Sequence, residues 1–161
     1  MSRKPSELDQ IDRKILNRMQ RNCRITNADL AAEVGTSAPS CMRRTRRLRT
    51  EGFIEREIAL VNPEKVGSTL ISISEVRLNN HERQARDNAI RHIKSIPEVT
   101  ICLNVTGDRD LMFVAMLTDM EDFAEKITEP LAIIPEIASI NSYFAIKTIK
   151  FEPFLHFDET R

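Results

Sequence analysis

TNADLAAEVGTSAPSCMRRTRRLRTEG, residues 26–52, has the pattern of two helices joined by a tight turn. Thr26 is suited to the N-cap of the first helix, and Gly35 to its end, because glycine adopts the left-handed conformation that often follows a helix. Ser37 can cap the second helix, and Pro39 falls in its first turn, where a missing N–H does no harm. A short helix, a glycine-containing turn and a second helix form the helix-turn-helix layout.

A further helix and an apolar segment flank this stretch. Upstream, residues 6–20 begin with Ser6 as the expected N-cap, and their apolar residues recur on one helical face, namely Leu8, Ile11, Ile15, Leu16 and Met19. Downstream, Gly52 ends the third helix, and the apolar residues of 53–61 predict a short hairpin, a wing, or a strand leading away. These elements predict a winged helix-turn-helix domain over residues 1–61.

The third helix carries five arginines within seven positions: Arg43, Arg44, Arg46, Arg47 and Arg49. At about 100° per residue, Arg43, Arg44 and Arg47 share an outward side with Ser40. Arg46 and Arg49 fall instead beside the inward stripe, which consists of Cys41, Thr45 and Leu48. We expect Arg46 and Arg49 to support the domain's own surface through carboxylates, or to lie along flanking phosphates.

Serine and arginine on one side of such a helix suit DNA binding. Arginine donates paired hydrogen bonds to guanine O6 and N7 or to phosphate oxygens, and small residues at the helix start permit close approach to base edges. We therefore predict contacts with double-stranded DNA from Ser37, Ser40, Arg43, Arg44 and Arg47. The alternative is a solvated helix whose arginines pair with nearby carboxylates such as Glu51 and Glu55.

The charge of the chain is divided between its two parts. The whole chain has 24 Lys and Arg against 24 Asp and Glu and is formally neutral. Residues 1–61 hold thirteen basic and eight acidic residues, a net charge of +5, and residues 62–161 hold eleven and sixteen, a net charge of −5. This asymmetry suggests a nucleic-acid-binding part joined to a part with another role.

The second part alternates strands and helices. After a linker over 62–67 (NPEKVG), the periodicity predicts strands over 68–79, 99–107, 111–118 and 138–153, and helices over 83–96 and 121–134, the last interrupted at Pro130. The order β-α-β-β-α-β is that of the ferredoxin-like sandwich, which we assign to residues 68–161, so the fold class is α+β. Helices cover one face of such a sheet, and we expect a second copy of the chain to cover the other.

The loop Gly107-Asp108-Arg109-Asp110 is the one chemically suggestive feature of the second part. Gly107 lets the backbone turn tightly and present N–H groups to an anion. Asp108 and Asp110 would point the same way in an extended loop and could hold an ammonium group, so the loop could bind both ends of an amino acid. The alternative is a hairpin turn whose carboxylates accept local backbone N–H groups.

Composition argues against several other classes of protein. The three cysteines (Cys23, Cys41, Cys102) form no CxxC and the three histidines (His81, His92, His156) are scattered, so we expect no disulfide, metal or cofactor. The loop carboxylates lack a matched nucleophile or a phosphate-binding glycine motif, so we expect no catalytic residues and no enzyme activity. With no bilayer-length apolar stretch and no signal-peptide h-region, we expect a cytoplasmic protein.

Four stretches of the chain resemble the Lrp/AsnC (leucine- and asparagine-responsive) transcriptional regulators of bacteria and archaea. They are LDQIDRKIL (8–16), RITNADLAAEVGTSAPSCMRRTRRLRTEGFI (24–54), NPEKVG (62–67) and VTGDRDLMF (105–113). The resemblance implies a winged helix-turn-helix domain and a ferredoxin-like effector-binding and oligomerisation domain. It also implies a nucleoid-associated homodimer that assembles to an octamer and binds a small effector, typically an amino acid, between subunits.

The resemblance further implies that five residues hold the effector: Gly107, Asp108 and Asp110 of the loop, and Asn141 and Ser142 of a neighbouring subunit. Many members have Thr-x-Thr where residues 140–142 are Ile-Asn-Ser, so one hydroxyl is lost here. We therefore expect a sequence-specific regulator whose assembly or DNA binding responds to this effector. The alternative is an architectural, chromatin-like DNA-binding protein with no effector.

Overall fold

The computed structural model describes residues 7–80 and 82–160, which form two units. One unit contains the described residues up to Leu60 together with those from Lys150 onward, and the other is Val61–Ile149. The expectation that 68–161 forms one continuous domain is therefore wrong at its C-terminal end. Two residues of the sequence analysis lie outside the described residues. They are Ser6, the expected N-cap of the first helix, and His81, one of the three scattered histidines.

Three helices form the helix-turn-helix of the first unit: α1 (Gln10–Arg21), α2 (Asn27–Val34) and α3 (Ala38–Thr50). Asp9 is the N-cap of α1 and forms a capping box with Asp12, which satisfies backbone N–H groups at the helix start. One apolar side of each helix faces a common core, made of Ile15, Leu16, Met19, Leu30, Ala31, Val34, Cys41 and Leu48.

The turn between α2 and α3 has the geometry that the sequence predicts. The Thr26 side chain accepts a hydrogen bond from the Asp29 N–H at the start of α2, and Gly35 ends that helix at φ 77°. Ser37 occupies the N-cap of α3, although its hydroxyl makes no capping hydrogen bond. Beyond α3, residues 53–62 form neither helix nor strand, so the predicted wing hairpin is absent from this segment.

The C-terminal residues 150–158 form neither helix nor strand and are held on α1. Asn17 donates to the carbonyl of Phe157 (2.8 Å) and accepts from its N–H (3.2 Å). Gln20 does the same with Leu155, at 2.9 and 2.7 Å. Each side-chain amide thus pairs with both backbone groups of one residue, as a neighbouring strand would. Phe157 packs against the core of the unit.

The second unit is a four-stranded antiparallel sheet with helices on one face. Its strands lie in the order β2-β3-β1-β4, as the ferredoxin-like prediction requires. In chain order the elements are β1 (Leu70–Leu78), α4 (Arg83–Ser95), β2 (Val99–Asn104), β3 (Leu111–Leu117), α5 (Met120–Phe123), a π-helical turn (Ala124–Thr128), α6 (Glu129–Ala132) and β4 (Ile137–Phe144). The last strand is shorter than predicted, because the chain leaves the sheet after Phe144.

The two faces of the sheet differ in their surroundings. The helix-covered face holds the core, which includes Val76, Leu78, Ala89, Ile93, Leu111, Phe113, Leu117, Ile127 and Leu131. The open face carries the alternate residues of each strand, and several of these are apolar and exposed: Ile73, Ile101, Leu103 and Tyr143. An apolar open face of this kind is suited to covering by another protein surface.

Candidate functional sites

The third helix presents one side to solvent and packs with the other. Cys41, Thr45 and Leu48 are buried, as predicted. The exposed side is formed by Pro39, Met42, Arg43, Arg46 and Thr50. Within residues 7–80 and 82–160, Arg43 and Arg46 have no hydrogen bond or ion pair, so the two guanidinium groups are available to a ligand.

Arg44 and Arg47 lie at the flank of α3 and bind carboxylates of α1. Arg44 Nη1 donates to Asp9 Oδ2 (2.6 Å) and to Asp12 Oδ1 (2.9 Å), and Arg47 Nη2 donates to Asp12 Oδ2 (2.5 Å). Asp12 is only 1% exposed and therefore depends on these partners. The expectation that Arg44 and Arg47 simply face outward is corrected, because both are half-buried and join α3 to α1.

This charge network shifts the pKa of two of its members. Burial alone would raise the pKa of Asp9, but hydrogen bonds from the Asp12 backbone N–H and from Arg44 outweigh burial and lower it. The hydrogen bond to Asp9 in turn raises the pKa of Arg44 above its ordinary value. Asp9 and Arg44 are therefore both charged at neutral pH.

Of the other two arginines expected to bind carboxylates of the domain, Arg49 does so and Arg46 does not. Arg49 binds Glu57 Oε1 through Nε (2.9 Å) and Nη2 (2.6 Å), which confirms its expected pairing with a carboxylate. Arg46 was expected to behave likewise, but it lies on the exposed side beside Arg43. Ser37 is exposed and Ser40 is half-buried. The sequence did not identify Asp12 or Glu57 as partners, since neither has a local signal that marks it as one.

The loop at 107–110 separates its two carboxylates. Gly107 has φ 122°, a conformation that favours glycine, and Asp108 is exposed. Asp110 is 7% exposed and accepts a hydrogen bond from the Leu78 N–H (2.9 Å), while its own N–H donates to the carbonyl of Val76 (3.0 Å). The prediction of one shared exposed cradle is thus wrong, because Asp110 fastens the loop to β1.

The two predicted contacts from β4 lie on opposite faces of the sheet. Ser142 shares a hydrogen bond of 2.8 Å with the buried Ser74 on the helix-covered face. Asn141 lies on the open face, where its Nδ2 donates to the Tyr143 hydroxyl (2.8 Å). Asn141 is also paired across the strands with Glu75, which binds Arg109 of the loop at 3.1 Å. On the open face, Asn141 therefore lies beside Glu75 of β1, the residue that binds Arg109 of the 107–110 loop.

Two family models match the chain. Residues 8–49 match the AsnC-type helix-turn-helix domain, and residues 72–154 match the Lrp/AsnC ligand binding domain. The chain belongs to the Lrp/AsnC family of transcriptional regulators. It is 31% identical over 144 residues to the leucine-responsive regulatory protein of Escherichia coli (strain K12), an alignment that covers 89% of this chain and 88% of that protein.

Solved structures agree with this assignment over nearly the whole chain. A transcriptional regulator–L-Met complex from Neisseria meningitidis has a TM-score of 0.87 at 32% identity and covers 92% of this chain and 96% of that one. An AsnC family transcriptional regulator from Agrobacterium tumefaciens has a TM-score of 0.86 at 30% identity and covers 91% and 95%. The E. coli AsnC structure shares the fold, with a TM-score of 0.81 at 21% identity.

The family assignment confirms the predicted function as a DNA-binding transcriptional regulator with a ligand-binding domain. Among residues 7–80 and 82–160, no three His, Cys, Asp or Glu side chains are grouped as metal ligands would be. In the same residues, no helix combines the length and apolar character needed to cross a membrane. The three thiols are free, and burial raises the pKa of Cys41 and Cys102.

Proposed function

We propose that this regulator reads DNA with the exposed side of α3. Arg43 and Arg46 approach base edges in the major groove, and Ser37 and Ser40 contact the DNA at the start of the helix. Arg44 and Arg47, held by Asp12, offer their remaining N–H groups to flanking phosphates. The observation that carries this proposal is the exposure of Arg43 and Arg46 without an intramolecular partner in the described chain.

Arginine variants of the full-length protein test this proposal. A duplex is first identified by footprinting, and binding is then measured by fluorescence anisotropy at several salt concentrations. Arg43→Ala and Arg46→Ala should each weaken binding about 5- to 150-fold for a base contact, or lower the salt slope by about one for a phosphate contact. Arg49→Ala, whose side chain already binds Glu57, is the matched control and should change affinity less than either. Unchanged affinity and salt slope in both test variants would exclude this side of α3.

We also propose that a second copy covers the open face of the sheet. Support comes from the exposed apolar residues on this face and from the family's oligomeric assembly. A two-fold dimer of this kind presents two α3 helices to successive major grooves of a pseudo-palindromic site, about 34 Å apart. Further association of dimers gives the octamer, which analytical ultracentrifugation can test.

The effector is proposed to be an amino acid bound between subunits. Support comes from the Neisseria meningitidis relative, whose structure contains L-Met. Backbone N–H groups at Gly107 and the exposed carboxylate of Asp108 bind the ligand, with Asn141 of a neighbouring subunit. Asp110 and Ser142 support these contact residues without binding the ligand themselves, because their side chains already bind Leu78 and Ser74. A thermal-shift screen against amino acids tests this, since a ligand of the native state raises its stability.

Footprinting separates this function from the architectural alternative. A regulator protects defined sites and changes its protection when the effector is added, whereas an architectural protein coats DNA broadly. We infer that the protein acts by binding and not by catalysis, because the two matching family models describe a DNA-binding domain and a ligand-binding domain. Binding to chromosomal DNA would place it in the cytoplasm, on the nucleoid.

A further inference from the structure

Met42 is a large apolar side chain in the middle of the exposed side of α3. It is 57% exposed and does not belong to the core of its unit. Pro39 precedes it by three residues and Arg46 follows it by four, so both are its neighbours on the helix surface. Met42 therefore lies within the surface that the proposed function places in the major groove.

Apart from Pro39, the other residues of this side are polar or charged, which makes the position of Met42 informative. Single exposed apolar residues are ordinary on protein surfaces. Here, however, the other long side chains of the exposed side are Arg43 and Arg46, whose guanidinium groups can donate to acceptors on DNA. A methionine between them can neither donate a hydrogen bond to a base nor neutralise a phosphate. Any favourable contact that it makes in the groove must be apolar.

We infer that Met42 contacts the C5-methyl group of a thymine, which makes it a specificity-determining residue. This inference rests on the proposed docking of α3. Among the four bases, thymine presents a methyl group in the major groove, and apolar side chains recognise it there. The unbranched, polarisable thioether of methionine adapts to such a contact. Against a G·C pair the same side chain would cover polar atoms without satisfying them, which disfavours that pair.

Replacing thymine by deoxyuridine tests the contact, because the exchange removes the methyl group and leaves the base pairing intact. Each thymine of a footprinted half-site is exchanged in turn, and the dissociation constant is measured with the full-length protein. At one position the wild type should bind about fourfold more weakly, which corresponds to about 0.8 kcal/mol for one methyl group. The Met42→Ala variant should lose this sensitivity at that position alone, whereas Met42→Leu should keep it.

Met120→Ala is the matched control, because Met120 is 54% exposed and lies on α5, in the other unit. It should show the wild-type pattern of deoxyuridine sensitivity. The same deoxyuridine pattern in wild type and Met42→Ala, or no sensitive thymine in the wild type, would overturn the inference. If Arg43→Ala and Arg46→Ala nevertheless weaken binding, the proposed docking of α3 stands and only the role of Met42 fails. If those arginine variants bind like wild type, the docking itself fails.

Discussion

The guanidinium group of Arg44 on α3 donates to the carboxylate of Asp12 on α1 over 2.9 Å. Because Asp12 is buried and also accepts from Arg47, one carboxylate orients two side chains of the proposed DNA-binding helix. The arrangement fixes α3 against α1 and presents the two arginines at the flank of the exposed side. The stability of the unit and the geometry of the proposed DNA-binding surface therefore depend on the same residue.

Removing the charge of Asp12 should destabilise the helix-turn-helix unit. In Asp12→Asn, the amide replaces a carboxylate that accepts from both arginines, and the loss should be about 2 kcal/mol of unfolding free energy. Urea unfolding followed by circular dichroism measures it. Glu57→Gln is the control, since its pair with Arg49 is more exposed and should contribute less than about 1 kcal/mol. Equal stability of the Asp12 variant and wild type would contradict the proposed role of this residue.

The ion pair of Asp9 with Arg44 should make stability depend on pH in the acid range. Since the folded-state pKa of Asp9 is lowered, its contribution is fully present above the unfolded pKa of about 3.9 and is lost as pH falls through the folded value. Asp9→Asn keeps an effective N-cap but removes the charge. The stability difference between wild type and this variant should be constant from about pH 7 to 5 and should shrink as the pH falls below about 4.

Urea unfolding of both proteins across this range measures the difference. The control is Asp87→Asn, because the pair of Asp87 with Arg83 is exposed and should contribute little at any pH. A difference for Asp9→Asn that stays the same at pH 7 and pH 2 would show that its charge is not responsible.

Local signals in the sequence predicted much of the fold. Thr26 and Gly35 mark the ends of α2 because caps depend on residues close in the chain, and period-two alternation located all four strands. The partners of the arginines were not predictable in this way. Asp12 lies 32 residues from Arg44, and a helical projection shows which side a residue occupies but not which element meets that side.

Partners that are distant in sequence also explain why the predicted end of β4 is wrong. The sequence predicted that β4 continues to residue 153, whereas the strand ends at Phe144. Farther along the chain, Leu155 and Phe157 bind Gln20 and Asn17, two polar helix residues that are distant in sequence. Asp110 was misjudged similarly, because its hydrogen bond to the Leu78 N–H depends on the close approach of two strands.

Phe157 should stabilise the first unit although it lies at the far end of the chain. Its ring packs on the core, so Phe157→Ala should lower the unfolding free energy by about 2 kcal/mol, less than for a fully buried phenylalanine. Phe151→Ala is the matched control, because Phe151 is 56% exposed and its loss should change stability by no more than about 0.5 kcal/mol. Urea unfolding compares the two. Equal effects would mean that the C-terminal segment does not pack on α1 in solution.

Asp108 and Asp110 should separate ligand binding from stability. Asp110→Ala leaves the buried N–H of Leu78 without an acceptor, so the unfolding free energy should fall by about 2 kcal/mol. Asp108→Ala removes an exposed carboxylate and should leave stability within about 0.5 kcal/mol. If Asp108 binds the ammonium group of the effector, its variant should lose the thermal shift caused by the amino acid while its melting temperature without ligand is unchanged. A full ligand shift in Asp108→Ala would place the effector elsewhere, whatever the stability of Asp110→Ala.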